Sequence, residues 1–215
     1  MIRLYGYPGN SSLVPHMLLE ELGAPFELER VDRANNAHKS REYLKLNPNG
    51  QIPVLVDGDL VLYETAAICM HLADTHPAAG FAPPLGSAER AHWYQWIAWC
   101  SNTLQAMLMH YFYPDRLVNE GDAAAAAQVK AHAEQRAGAM LDILDAQLAA
   151  HGGDWLLGAR FGAVDPYVLM LCRWTRNFAR PARSLPHIAP YLQRMLARPA
   201  IQRAVATEKL PPPLV

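Results

Sequence analysis

Residues 47–74 read NPNGQIPVLVDGDLVLYETAAICMHLAD, and the order of elements in this stretch decides the fold. The run IPVLVDGDLVLYE splits into two short aliphatic strands around Asp57-Gly58, a pair that signals a tight hairpin turn because glycine accepts the positive φ such turns demand. ETAAICMHLADTH, from Glu64 to His76, follows directly as a helix.

Upstream, IRLYG (2–6) reads as an opening strand. The segment from Ser12 to Leu22 reads as a helix, with Leu13 and Met17, and Val14, Leu18 and Leu22, spaced by four. FELERV (26–31) alternates apolar and charged residues as a half-buried strand does. The first half is therefore βαβ followed by ββα, a small mixed sheet with helices packed on it. Downstream, PAAGFAPPLGSAER (77–90) is rich in Pro, Gly and Ala, and strand signals stop beyond it. AERAHWYQWIAWCSNTLQAMLMHYFYP reads as one long helix from about Ala88 to Tyr113. The segment Asp122 to Ala150 carries Ala137, Leu141, Leu144 and Leu148 on one face. AVDPYVLMLCRW repeats that pattern with Val164, Val168, Leu171 and Cys172; Pro166 and Asp165 suit its first turn. Two short helices around IAPYLQRMLARPAIQRAV finish the chain. The expected organisation is a domain over 1–79, a linker over 80–87 and an all-helical domain over 88–215.

The chain has 215 residues, 51% of them hydrophobic, enough for a packed core. Nineteen basic and twenty acidic residues give a net charge of -1, and no Lys/Arg run points to nucleic acid. MIRLYGYPGN lacks a signal-peptide pattern and no apolar stretch is long enough to span a bilayer, so a cytoplasmic location without membrane contact is expected. Cys69, Cys100 and Cys172 sit in apolar helical segments without a CxxC pair and read as core cysteines. The nine histidines show no HExxH or HxxxH spacing, so no metal site is expected.

The stretch from Asn47 to Asp74 resembles the glutathione-binding segment of cytosolic glutathione transferases, with Ile52-Pro53, the hairpin and Glu64-Thr65 in the family's order. The resemblance covers essentially the whole chain and extends to an FGAVDPY box at 161–167. It implies a thioredoxin-like N-terminal domain joined to an all-helical C-terminal domain, and a two-fold homodimer. YPGNSSLVPHMLLEELG (7–23) is similar to the bacterial beta class, including Pro15-His16. There the residue aligned with Ser11 is normally cysteine.

The resemblance also implies a glutathione site built from separate segments. The helix mouth at Glu64-Thr65 would take the γ-glutamyl carboxylate of glutathione, with Thr65 giving its hydroxyl and N–H. A cis Ile52-Pro53 bond would turn the Ile52 N–H and C=O outward to pair with the extended tripeptide. Gln51 would lie along the glutathione backbone, and His38 or Lys39 would reach its glycine carboxylate. The thiol must ionise to react. Lowering its pKa from about 8.5 by about two units takes roughly 2.7 kcal/mol. A hydroxyl donating to the sulfur supplies about 1.5 to 3 kcal/mol and a helix N-terminus about 0.3 to 1. One serine at this helix is therefore sufficient. Ser11 ranks first as that donor, Ser12 next and Tyr5 third, with Asn10 assisting as an amide donor; Ser12 otherwise reads as the plain N-cap.

A serine cannot form a mixed disulfide, so conjugation or isomerisation is expected rather than thiol–disulfide exchange. The electrophile, small and hydrophobic, should lie against the long helix, with Trp96, Met107, Tyr111 and Phe112 as candidate lining residues. For Trp93, Trp96 and Trp99, a core position is the stronger reading. Two alternatives stay open. One is an isomerase of a maleyl-type dicarboxylate, for which Arg173, Arg176 and Arg180 would be the cations. The other is a non-catalytic glutathione-binding or regulatory protein.

Overall fold

The computed structural model describes every residue from Met1 to Val215. The first half contains β1 (Ile2–Gly6), α1 (Leu13–Leu22), β2 (Phe26–Arg30), α2 (Arg41–Leu44), β3 (Val54–Asp57), β4 (Leu60–Tyr63) and α3 (Thr65–Thr75). The strands form one sheet in the order β2-β1-β3-β4. β1 runs parallel to β2, with Leu4 opposite Leu28, and antiparallel to β3, with Leu4 opposite Leu55. β3 and β4 close the hairpin, pairing Val54 with Tyr63 and Asp57 with Leu60.

Because strand side chains alternate between faces, the two sides of this sheet enter different clusters. Leu4 and Leu55 join the main core with Leu13, Val14, Leu18, Ile68 and Leu72 of α1 and α3. Val54 and Val56 point the other way and pack with Val31 and Tyr43, which α2 supplies. At Gly6 the backbone passes so close to α1 that an added Cβ would stand 2.6 Å from Ser12 Cβ. Only glycine fits there.

The second half contains α4 (Ala88–Trp99), α5 (Ala106–Phe112), α6 (Ala123–His151), α7 (Val164–Trp174), α8 (Ile188–Ala197) and α9 (Pro199–Thr207). The sequence predicts one continuous helix from Ala88 to Tyr113. The structure instead inserts a π-helical segment, Cys100–Gln105, between α4 and α5. A π turn takes an extra residue, so it rotates every later side chain relative to an unbroken 3.6-residue pattern.

α7 is buried along nearly its whole length, from Val164 to Arg173. Its start is held by Asp165, whose carboxylate accepts the N–H groups of Leu156 (3.0 Å) and Gly162 (2.7 Å) and the hydroxyl of Tyr191 (2.9 Å). With Asp165 N–H returning to Gly162 C=O, the FGAVDPY segment forms a reciprocal cap. Between the halves, Phe81 is buried and its C=O accepts the Ala163 N–H at 2.8 Å, seating the connection on the helical half. A single cluster of 42 buried residues runs from Ile2 to Ala204 across both halves. α1 is the shared element, packed against α3, α7 and α9. No helix is long and apolar enough to cross a membrane.

Candidate functional site

A cleft of about 720 Å³ opens between the halves, and six of its 26 lining residues are hydrophobic. Its walls are the turn before α1, the loops carrying residues 33–39 and 47–53, the mouth of α3, one face of α5, the end of α7 and the C-terminal segment. Polar and apolar surface share the wall about equally.

Asn10, Ser11, His38, Lys39, Gln51, Ile52, Pro53, Glu64 and Thr65 all line this cleft. Ser11 is nearly buried, and its hydroxyl donates to the Ile52 C=O at 3.1 Å. The Ile52–Pro53 bond is cis. The loop leading to it is fixed by Tyr43 OH and Asn47 Nδ2, both donating to Gln51 C=O at 2.8 Å. Lys39 Nζ donates to the Asn49 C=O at 3.2 Å. Burial, then the charges of Arg33 and Lys39, push the His38 imidazole below its usual pKa. Glu64 stands at the mouth of α3 with φ 73° and ψ 117°, a backbone costly for a non-glycine residue that turns its side chain into the cleft. Glu64 takes part in no ion pair.

Ser12 and Tyr5 do not line the cleft. Ser12 occupies the position before α1, but its backbone is already helical (φ -61°, ψ -20°), and its side chain makes no cap bond. The hydroxyl turns back instead, accepting the Tyr7 N–H and donating to the Tyr7 C=O, each at 3.1 Å. It locks the strand-to-helix turn, correcting the expected N-cap role. Tyr5 lies on the far face of the sheet, edge-on to Tyr43 at 6.3 Å.

On the helical side, Phe112 lines the cleft while Met107 and Tyr111 do not. Gln105, Met109, Phe112 and Tyr113 share the inward face, spaced four, then three or four residues apart. Tyr111 is rotated away, tilted against Phe178 at 4.7 Å with Lys130 Nζ 4.9 Å above its ring. Met107 packs against the core, and Trp96 is a core residue stacked edge-on with Trp99 at 5.1 Å. Gln105 in the π segment accepts from Tyr167 OH.

No local pattern marks the groups that fix the turn at 8–11. Glu208, just beyond α9, accepts the Gly9 N–H at 2.7 Å and stands 2.8 Å from the Nδ1 of fully buried His16. Trp174 Nε1 donates to the Gly9 C=O at 2.9 Å. Both polar groups of Gly9 are therefore held by the helical half, 165 and 199 residues away in sequence. Arg33 bridges the cleft, donating to Asn10 Oδ1 at 2.6 Å and to Tyr113 OH at 3.0 Å. Arg173 and Arg176 also line it, whereas Arg180 is turned outward and paired with Asp142 at 2.7 Å.

No three His, Cys, Asp or Glu side chains stand close enough to share a metal ion. Cys69, Cys100 and Cys172 are buried, and burial raises all three thiols, Cys172 to about 12. None can supply a thiolate near neutral pH.

Residues 1–74 match the family model "Glutathione S-transferase, N-terminal domain" and residues 99–199 match "Glutathione S-transferase, C-terminal domain". The chain is 36% identical over 227 residues to glutathione S-transferase 3 of Zea mays, covering 99% of this chain and 96% of that one. Its fold superposes with TM-score 0.88 on a glutathione transferase homolog from Sulfitobacter with bound glutathione, at 26% identity, covering 98% of this chain and 99% of that one. A bacterial beta-class glutathione S-transferase from Sphingomonas chungbukensis superposes with TM-score 0.81, also at 26% identity, over 99% of this chain and all of that one.

Proposed function

The chain belongs to the glutathione S-transferase family, and we propose that it conjugates glutathione to small electrophiles, with the Ser11 hydroxyl holding the glutathione thiolate. The observation that carries this reading is the 3.1 Å contact between Ser11 Oγ and the Ile52 C=O. A peptide laid along Ile52 as an added strand pairs its cysteinyl N–H with that carbonyl. The sulfur, three bonds from that nitrogen, then falls beside Ser11. Once the carbonyl takes the peptide N–H, the serine proton is free to donate to sulfur.

The rest of the cleft fits the tripeptide's charges. The γ-glutamyl carboxylate goes to Thr65 and the open N–H groups of α3, where the helix dipole favours an anion. The adjacent ammonium meets the unpaired carboxylate of Glu64. The glycine carboxylate meets Lys39, and Gln51 lies along the backbone between them. Asn10, already accepting from Arg33, serves as a support of the Ser11 turn. With sulfur ionised, attack on a chlorinated nitroaromatic carbon forms C–S, breaks C–Cl and expels chloride with the bonding pair. The thiol proton goes to solvent.

The test is thermal stabilisation by glutathione, followed by turnover of 1-chloro-2,4-dinitrobenzene. Wild type is expected to be stabilised and active. Ser11→Ala should lower kcat/KM by roughly 10- to 100-fold, as loss of a charge-assisted bond of about 1.5 to 3 kcal/mol predicts. Unchanged turnover in Ser11→Ala would remove the serine from the mechanism, and no stabilisation at millimolar glutathione would remove glutathione.

We also propose a homodimer. Leu60 and Val61 on the edge strand β4 and Tyr94 on α4 are large apolar side chains left 40–41% exposed. Edge strands of this kind need a cover. Sedimentation equilibrium should return twice the chain mass of 23.9 kDa.

A further inference from the structure

Nine of the fifteen arginines fall into two groups; the other six, Arg3, Arg30, Arg41, Arg136, Arg160 and Arg183, stand outside the cleft and pair with no Asp or Glu. On the outer surface and between helices, Arg90, Arg180, Arg194, Arg198 and Arg203 each pair with an Asp or Glu. The four that line the cleft, Arg33, Arg116, Arg173 and Arg176, have no carboxylate partner. Arg33 binds the neutral Asn10 and Tyr113 side chains. Arg116 lies 4.0 Å over the Tyr113 ring. Arg176 donates to the Arg173 C=O at 3.1 Å, and Arg173 itself is nearly buried against the carbonyls of Pro213 and Leu214. Of the two acidic lining residues, Glu208 is committed to Gly9 and His16, and Glu64, which makes no side-chain bond within the chain, faces the glutathione ammonium in the reading above.

Charge left uncompensated in a concave wall draws anions into it. The wall beside these guanidiniums is aromatic, with Phe112 and Trp174 edge-on at 5.8 Å and Tyr113 following Phe112. We propose that the second substrate is an aromatic electrophile carrying a carboxylate: its ring rests on Phe112 and Trp174, and its carboxylate is taken by Arg33, Arg116 and Arg176. This rests on the transferase reading above, in which Thr65 and Lys39 already take both carboxylates of glutathione.

Two probe pairs separate the proposal from that reading. For turnover, 4-chloro-3,5-dinitrobenzoate is compared with its methyl ester, each rate divided by the uncatalysed reaction with glutathione. For binding alone, 3,5-dinitrobenzoate is compared with its methyl ester by tryptophan quenching, which needs no reaction. The acid is expected to exceed the ester by about tenfold or more in both, the ratio of a 1.4 kcal/mol charge-assisted contact, and to lose that lead as salt rises. Arg116→Gln and Arg176→Gln should each cut the acid-to-ester ratio severalfold, while Arg180→Gln, outside the cleft, keeps it. Equal binding of acid and ester overturns the proposal, as does an Arg→Gln variant that raises the KM for glutathione and leaves the ratio unmoved. Preference for the acid in binding without turnover of either ring would sustain the anion site and sink the transferase reading.

Discussion

Ser11 and Ser12 are neighbours with the same side chain, yet the chain gives them separate duties. Ser11 lines the cleft, and Ser12 is closed on both sides by the backbone of Tyr7. Ser12→Ala is expected to destabilise the fold by about 1–3 kcal/mol, because two backbone groups of the turn lose their partner in a nearly dry site. The denaturation midpoint would fall while the pKa of the bound glutathione thiol, read by its ultraviolet thiolate absorbance, stays where it is; a raised thiol pKa would put Ser12 in contact with sulfur. Ser11→Cys tests the other duty. A thiolate at 11 attacks oxidised glutathione, forms a mixed disulfide and releases one glutathione thiolate, which the wild-type hydroxyl cannot do. Intact mass should show one added glutathionyl group on the variant and none on wild type. An unmodified variant would mean that position 11 does not face the bound sulfur.

Elements whose signal is local were legible: the Asp57-Gly58 hairpin, the alternation of Phe26–Arg30 and the spacing of Leu141, Leu144 and Leu148 each act within a few residues. The face of α5 was not legible, because the π segment Cys100–Gln105 shifts the register and replaces Met107 and Tyr111 in the cleft with Met109 and Tyr113. The role of Ser12 was missed because a capping serine and a turn-locking serine look alike until backbone angles are known. Asp165 was legible in part, as a carboxylate at a helix start. Its burial pushes its pKa up to about 6, since desolvation outweighs the N–H groups of Leu156 and Gly162 and the Tyr191 hydroxyl. Between about pH 4 and 6 the folded chain keeps a proton that the unfolded chain has released, so this stabilisation is complete at low pH and is lost as pH rises through about 6. About two pKa units at 1.36 kcal/mol each give about 3 kcal/mol. Asp165→Asn also turns an amide donor toward the N–H of Gly162 or Leu156, costing about 1–3 kcal/mol at neutral pH. Urea melts at pH 4.5 and 7.5 should show the wild-type advantage over Asp165→Asn shrinking at the higher pH; an advantage that grows would place the carboxylate below its ordinary range.

At the scale of the whole molecule, the site depends on contacts no local window of sequence displays. α1 belongs to the first half by order, but its far side is held by the end of the chain through three pairs: His16 with Glu208, Glu21 with Arg198 and Glu20 with Arg203. The three differ in burial, and so in what each contributes. His16 and Glu208 are nearly dry, at 0% and 3% side-chain exposure, whereas Arg203 is 54% exposed. An exposed pair of that kind contributes about 0–1 kcal/mol. Glu208→Ala strands the Gly9 N–H and the buried His16 ring together, and each lost partner costs about 1–3 kcal/mol. Arg203→Ala should therefore change stability by less than about 1 kcal/mol, and Glu208→Ala by about 2 kcal/mol or more. Because the core is continuous from Ile2 to Ala204, the loss should appear as one shifted transition seen alike by tryptophan fluorescence and far-ultraviolet circular dichroism. The same variant frees the turn that presents Ser11, so turnover should fall at saturating glutathione. Two separated transitions would show that the halves fold independently, and intact turnover in a destabilised Glu208→Ala would show that the clamp supports the fold without setting the site.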